Sequence, residues 1–476
     1  MRCMTLPAYD IAILGAGPVG RVLALLLARL TPQPQRIALL QGGAGLPPTP
    51  AGTLGPAADP RVLALNHGSR VLLESLRAWP AHAAEIRHIH VSQRGRLGRT
   101  VIDREDFDVP QLGNVVAYAA LHAQLEQAVQ DCGVTVLSGP PARVDGQDGE
   151  GLTVRQGDAA LHCRLAVQCD GAGGSDVRRD YAQHAVLTSA HATLPRSGWA
   201  WERFTNEGPL AMLPHPQTPE AYSVVWCCAP PRARRLAGLD DEAFSRELTE
   251  AFGTRLGRLR SAAPRHVFPL ELKARHAQAH GRLATIGNAA QTLHPVAGQG
   301  LNLGLRDAAQ LAHALPDWLA APQADPSPLL ATFARARLAD RWVTAGLTDL
   351  MPRIFATGLA PVEHACGLAL LGLDIAAPLR APLARHLLQG LSGSDPETGP
   401  ARSGKMGMDA RRLKCAHAHR SLVPSQQRSG RPDGRGDGSS LPPALQAAGG
   451  GLCGLGNGRE QPAAVGQRQD LAPLEP

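Results

Sequence analysis

No CxxC pair occurs in the 476-residue chain, and its nine cysteines are scattered, with only Cys227-Cys228 adjacent. An odd, dispersed set excludes a disulfide-stapled or metal-held miniature and reads as reduced thiols in a cytosolic protein. The N-terminus shows no basic stretch followed by an apolar run and a small-residue cleavage site, so no signal peptide is expected. Residues 11–30 are apolar but are broken by GAGPVG and Arg21, whereas a spanning helix wants about 20 uninterrupted apolar residues. A basic excess is also lacking. Lys and Arg number 48 against 41 Asp and Glu, and residues 391–476 alone hold 11 of the basic and 8 of the acidic residues. The body therefore carries no footprint for nucleic acid.

Glycine and proline are in excess, at 51 and 40 residues. Part of that excess lies in residues 391–476, with 15 Gly, 9 Pro, no aromatic residue and no Ile. Such a composition cannot bury enough apolar surface to offset its ordering entropy, so a disordered tail is expected over 392–476.

The remaining glycines mark turns. Ile11–Leu14 reads as a strand, Gly15–Gly20 as a tight turn, Val22–Leu30 as a helix and Arg36–Leu40 as the next strand, together a βαβ unit. Helices are expected over Ser69–Leu76 and Ala119–Gln130, a hairpin over Ile86–Ile102 and a strand over Leu161–Val167. From Ala182 to Leu272 short strands dominate, with one helix over Asp241–Phe252. Leu283–Ile286 is again strand-like and enters a long helix ending near Leu315, and a helical piece runs on to about Gln389.

Three constellations carry chemistry. In Gly15-x-Gly17-x-x-Gly20 the first glycine permits the turn, the second lets the backbone approach a pyrophosphate and the third lets helix pack on strand. The acid expected about 20 residues later, for ribose hydroxyls, is Gln41 here. The second constellation is Gly287-Asn288, followed by His294-Pro295 and Gly298-Gln299-Gly300-Leu301-Asn302. A polar residue at a strand end reaches a ribityl or ribose group, and free amides at a helix start stabilise the negative charge of a reduced flavin. The third is Asp170-Gly171, with Ser175 and Arg178 following.

These motifs resemble the flavin-dependent aromatic hydroxylases of the p-hydroxybenzoate hydroxylase fold. Asp59-Pro60-Arg61, IHVSQRG (89–95), WAWERFTNEGPLAMLP (199–214) and GNAAQTLHPVAGQG (287–300) narrow the resemblance to the ubiquinone-biosynthesis hydroxylases, the 2-polyprenyl-6-methoxyphenol hydroxylase group. It spans about residues 8–390. It implies an α/β fold: an FAD-binding domain of Rossmann type (8–181 and 273–345, with a hairpin near 86–102 inserted), an interleaved sheet-rich substrate domain (182–272) and a helical segment (346–391).

The resemblance further implies that NAD(P)H and O2 serve as co-substrates in hydroxylating a polyprenyl phenol. Gly15, Gly17 and Gly20 would hold the FAD pyrophosphate, Gln41 the adenosine ribose, Asn288 the ribityl chain, and Gly298, Gln299, Gly300, Leu301 and Asn302 the isoalloxazine edge. Asp170, Gly171 and Arg61 would lie near the cofactor, and Pro295 on the reactive face. No catalytic acid or base is assigned: His294 is the neighbouring candidate, but a lone histidine is more often a hydrogen-bonded scaffold residue. No metal is expected. Trp199, Trp201, Phe204, Met212 and Trp226 would wall the cavity. An apolar substrate further implies delivery from a partner complex or from contact with the inner membrane, with Ala365–Leu391 a candidate peripheral helix. Two alternatives stay open: hydroxylation of another ring position or phenol, and a non-catalytic FAD-bound subunit of a quinone-synthesis complex.

Overall fold

The computed structural model describes residues 9–42, 59–171, 174–261 and 263–389. The chain divides into two units, Met1–Ala401 and Arg402–Pro476. The second unit, and with it the expected tail 392–476, lies outside the described residues.

The N-terminal βαβ unit forms as its pattern predicts. β1 (Tyr9–Leu14) is buried along Ile11–Leu14. α1 (Pro18–Ala28) begins at Pro18, whose fixed φ suits a first helical position where no N–H is needed. β2 (Ile37–Gly42) pairs in parallel with β1, Ile11 opposite Ile37. There follow β3 (Val62–Asn66), α2 (His67–Ser75), β4 (Ala84–Ile86), β5 (His88–Gln93), β6 (Arg99–Asp103), β7 (Gly113–Ala117) and α3 (Tyr118–Gln130). α2 is capped by Asn66, whose Oδ1 accepts from the Ser69 amide at 2.9 Å. β8 (Thr135–Gly139), β9 (Ala142–Gln147), β10 (Leu152–Gln156) and β11 (Ala159–Gln168) complete this half.

β12 (Val177–Ala192), β13 (Trp199–Phe204), β14 (Pro209–Pro214) and β15 (Ala221–Cys228) come next. Then follow α4 (Pro230–Gly238), α5 (Asp241–Phe252), β16 (Leu259–Arg260) and β17 (His266–Ala274). The chain returns through β18 (Ala279–His280), β19 (Leu283–Thr285) and β20 (Gln291–Thr292) to α6 (Gln299–Ala314). It continues into α7 (Pro316–Ala320), α8 (Ser327–Ile354), α9 (Ala360–Ile375) and α10 (Ala377–Gln389).

The first sheet has the order β18-β19-β11-β1-β2-β8, with β9 and β10 attached at β11. Its central pairs β2·β1, β1·β11 and β11·β19 are all parallel, the arrangement of a sheet covered on both faces. α1, α3 and α6 bury Leu23, Leu27, Leu121, Leu125, Leu305 and Leu311 against one face. The second sheet has the order β20-β17-β12-β15-β14-β13-β5-β6, with β16 on β12. A small third sheet, β3-β7-β4, stands apart.

Two expectations about the second sheet shift. The hairpin near 86–102 belongs to this sheet, because β5 pairs in parallel with β13, His88 opposite Trp199. The sheet also begins earlier than residue 182, since β12 pairs with β17 from Val177 onward. In both cases the partner strand is distant in sequence, so local alternation cannot reveal it.

Strand alternation gives the second sheet two unlike faces. Trp201, Met212, Val224 and Trp226 pack under Leu236 of α4 and Phe244, Leu248 and Phe252 of α5. The other face carries Ile89, Val91, Ala200, Glu202, Ala211, Leu213, Val225 and Cys227, all of which line a cavity.

Candidate active site

The three sequence motifs converge at the ends of the first sheet's strands. Gly15 has φ +108°, and a Cβ placed on it would lie 2.7 Å from the Asp170 Cβ, so turn and aspartate motifs touch. A Cβ on Gly20 would lie 2.0 Å from the Gly15 carbonyl oxygen; only glycine lets α1 start this close to the turn. Gly17 differs. A Cβ there meets nothing within 4 Å, so the protein itself does not require glycine at that place. The open space at the N-cap of α1, where neither a side-chain cap nor an acidic residue occupies the first turn, fits a pyrophosphate held by backbone amides.

Asp170 and Gly171 follow β11, and Gly171, at φ +72°, approaches the Asn288 side chain: a Cβ on Gly171 would lie 3.4 Å from the Asn288 Cβ. Asn288 is the one exposed residue in the stretch 284–291. A polar side chain exposed amid buried neighbours and beside the aspartate motif suits a ribityl contact. Gln41 sits at the end of β2, where its carbonyl accepts a 3.3 Å hydrogen bond from Gln156 Nε2.

The turn before α6 is the other half of the site. Ala297 (φ +57°) and Gly298 (φ +60°) are both left-handed, and a Cβ on Gly298 would lie 3.0 Å from that of Ala64. A Cβ on Gly300 meets nothing within 4 Å, a second open cradle at a helix N-terminus. Gln299 Nε2 donates to the Ala297 carbonyl at 2.9 Å, and its Oε1 is buried without a partner. Pro295, Gly298, Gln299, Gly300 and Leu301 line the cavity, which has a volume of about 300 Å³.

Several expected site residues serve the scaffold instead. Asn302 lines the cavity, yet its side-chain amide is fully used. Oδ1 accepts from the Asn66 amide (3.0 Å) and the Ser69 hydroxyl (2.8 Å), and Nδ2 donates to the Ala64 (2.9 Å) and Gly298 (2.8 Å) carbonyls. Its side chain ties α6 to β3 and α2, leaving only its backbone for a flavin edge. His294 is not among the cavity-lining residues. It is buried, and its Nδ1 accepts the Val296 amide at 3.2 Å while Nε2 faces Gln183 Oε1 at 3.4 Å. Burial lowers its pKa to about 4, so a neutral imidazole braces the turn and offers no proton. Gln183 reaches it from a bulge in β12.

The Arg61 guanidinium is held by both carboxylate oxygens of Asp59, at 2.6–3.0 Å, and lies 4.5 Å over the Tyr118 ring. It precedes Val62, a cavity-lining residue. Arg178 pairs with Glu271 across β12 and β17 instead of complementing Asp170. Among the five aromatic or sulfur residues expected to wall the cavity, only Trp201 does so. Met212 and Trp226 point into the α5 side, Trp199 stacks on His88 (4.6 Å), and Phe204 stacks on Phe355 (4.1 Å).

Two groups escaped the sequence reading. Gln291 Nε2 donates to Asp307 (2.9 Å) and its Oε1 accepts from Arg341 (2.8 Å), joining a buried network in which Asp307 also pairs with Arg337 at 2.7 Å. Gln291 stands in the motif 287–300, but its partners Asp307 and Arg341 lie 16 and 50 residues further on and cannot be read from it. The other is Glu202, the sole carboxyl among the described cavity-lining residues.

A profile of the FAD binding domain matches residues 59–344. The chain belongs to this FAD-binding family. It is 30% identical over 405 residues to the ubiquinone hydroxylase UbiL of Rhodospirillum rubrum, covering 80% of this chain and 89% of that one. It is 28% identical over 401 residues to the 3-demethoxyubiquinol 3-hydroxylase of Escherichia coli, covering 81% and 100%. In fold it is similar to p-nitrophenol 4-monooxygenase PnpA of Pseudomonas putida, with a TM-score of 0.60 at 15% identity over 81% of this chain and 99% of that chain. The chain is an FAD-dependent monooxygenase of the aromatic-hydroxylase fold. No single helix among the described residues is long and apolar enough to cross a membrane.

Proposed function

We propose that the chain hydroxylates the ring of a neutral polyprenyl phenol in ubiquinone biosynthesis, using NAD(P)H and O2. The observation that carries this reading is the cavity's lining. It is largely aliphatic, and no Lys, Arg or His stands among its described residues. A hydroxybenzoate would bring a carboxylate into an apolar space with no cation to receive it, at a large desolvation cost. A phenol with an alkyl chain brings one polar O–H and much apolar surface. The names of the Rhodospirillum and Escherichia relatives agree with this substrate class.

Bound FAD supplies the redox chemistry that activates O2. The chain's part is to bind, orient and keep dry. Gly15, Gly17 and Gly20 receive the pyrophosphate on the α1 amides, with Asp170 and Gly171 beside them. Gln41 takes the adenosine ribose and Asn288 the ribityl chain. The backbone from Gly298 to Asn302 faces the isoalloxazine edge, where the α6 amides favour negative charge. Pro295, which has no N–H, keeps the reacting face free of a competing donor.

So apolar a substrate needs a route that avoids water. Leu359, Leu368, Leu371 and Ile375, on or beside α9, are exposed, as is Leu97 of the β5–β6 turn that packs on α9 at Gly367. These residues form the face that takes up substrate at the inner-membrane surface, from the lipid or from a quinone-synthesis assembly docked there.

The deciding experiment is mass spectrometry of lipid-soluble quinone intermediates in a strain deleted for this gene, grown in air, with and without restoration. A polyprenyl phenol lacking one ring oxygen should accumulate and disappear on restoration. Normal ubiquinone with no accumulating phenol would remove the pathway assignment and leave the flavin assignment standing.

A further inference from the structure

Glu202 sits where an apolar surface would otherwise be continuous. On β13 it lies between Val91 of β5 and Ala211 of β14, both apolar and both on the cavity face. The Ala297 backbone amide, in the turn before α6, lies close enough to this carboxyl to favour its charged form. Ala297 holds a left-handed conformation (φ 57°, ψ 11°) uncommon for a residue with a Cβ. The turn expected to face the flavin therefore also approaches this carboxyl. Glu202 Oε1 is buried with no partner.

A buried acceptor without a donor is costly in a folded protein and calls for an explanation. No described residue supplies one. β5 and β14 present Val91 and Ala211, and β15 presents Cys227, the only other titratable side chain among the cavity's described residues. That thiol is itself pushed well above its usual range by burial. No described lining residue is cationic.

From this geometry we infer that Glu202 is the group that receives the substrate's phenolic proton. The inference rests on the phenol reading above. Ring hydroxylation needs an electron-rich ring carbon. As the ring reacts, the phenolic O–H bond breaks and its proton moves to a Glu202 carboxylate oxygen. The electron pair left on the phenol oxygen is shared with the ortho and para carbons. The ring carbon that gains the hydroxyl then gives up its hydrogen as a proton to water as aromaticity returns, and the phenolate oxygen so formed takes back the proton held by Glu202, leaving the carboxylate ready for another turnover. Burial raises the pKa of Glu202 to about 7, close to the range in which a general base works well. The Ala297 amide lies beside the carboxyl, so the phenol is oriented by the same turn that faces the flavin.

The test compares the flavin-loaded wild type with Glu202→Gln, following product formation from a 2-prenylphenol and from its more acidic ring-fluorinated analogue between about pH 5.5 and 9. The wild type should lose hydroxylation as pH falls through about 7, with either probe, because protonation of Glu202 removes the base. Glu202→Gln should bind 2-prenylphenol within a few-fold of wild type. Its hydroxylation should be slower on the order of 10²-fold, with no acid limb, and the fluorinated probe should recover much of that loss. A variant matching wild type at every pH would overturn the assignment. If the variant loses its flavin or does not fold, the wild-type profile decides: a limb fixed across both probes supports Glu202, and one that shifts with the probe's own acidity overturns it. Wild type that hydroxylates no prenylphenol overturns the substrate class and this assignment together. Wild type that does so without an acid limb overturns this assignment alone.

Discussion

Asn302 Oδ1 accepts a 2.8 Å hydrogen bond from the Ser69 hydroxyl, joining the first turn of α6 to α2 across more than two hundred residues of sequence. With its three other hydrogen bonds, this side chain fixes the turn from Pro295 to Gly298 against β3. Asn302→Ala leaves the Asn66 amide and the Ala64 carbonyl unpaired near the cavity. Each lost partner at a buried site costs about 1–3 kcal/mol. Thermal unfolding should show a loss of several degrees, and flavin absorbance per protein should fall because the α6 amides lose their position.

Gly17 and Gly20 look equivalent in the motif and differ in what surrounds them. A Cβ at Gly17 meets no protein atom, whereas one at Gly20 strikes the Gly15 carbonyl. Gly17→Val should therefore leave the flavin-free protein close to wild type in Tm while abolishing FAD retention. Gly20→Ala should lower the Tm of the flavin-free protein itself. Full flavin occupancy in Gly17→Val would contradict the pyrophosphate assignment.

How much of this was legible depends on the range of the interaction. The βαβ unit and the α6 turn were readable because glycine spacing and strand alternation are local. α5 was readable to the residue, with Asp240 as its cap. The β5–β13 pairing was not, since it joins segments more than a hundred residues apart. Met212 and Trp226 were misassigned for a related reason: alternation tells which residues share a face, and only the docking of α5 decides which face is core. Glu202 stood in a quoted motif, but a lone glutamate in a strand gives no sign that its surroundings are apolar. Likewise Arg337, Asp340 and Arg341 of α8, on which the sequence pattern says nothing, are buried.

That buried network gives a prediction independent of flavin. Asp307 accepts from Arg337 Nε (2.7 Å), Gln278 Nε2 (3.1 Å) and Gln291 Nε2 (2.9 Å). Asp307→Asn removes the charge opposite a buried guanidinium and replaces one acceptor oxygen with a donor. Breaking one side of a buried pair costs about 3–5 kcal/mol. Urea unfolding should show that loss, whereas Asp349→Asn, in a partly exposed cluster with Arg179 and Arg353, should cost within about 1 kcal/mol.

Glu202 also makes a prediction about stability, read without substrate. Its pKa is raised by burial to about 7 in the folded protein from the ordinary glutamate value of 4.5. A group whose folded pKa is raised stabilises the fold only while protonated in both states, and its contribution is lost as pH climbs to the folded value. Glu202→Gln keeps the neutral shape at every pH. The two proteins should be equally stable near pH 4.5, and the variant should gain on wild type up to about pH 7. Above that the difference should stay level, on the order of 3 kcal/mol from about 1.4 kcal/mol per pKa unit. Equilibrium unfolding of the flavin-free proteins across this range checks it. A difference that is flat with pH, or that favours wild type at pH 8, would mean that the Glu202 carboxyl is charged and paired in the folded state.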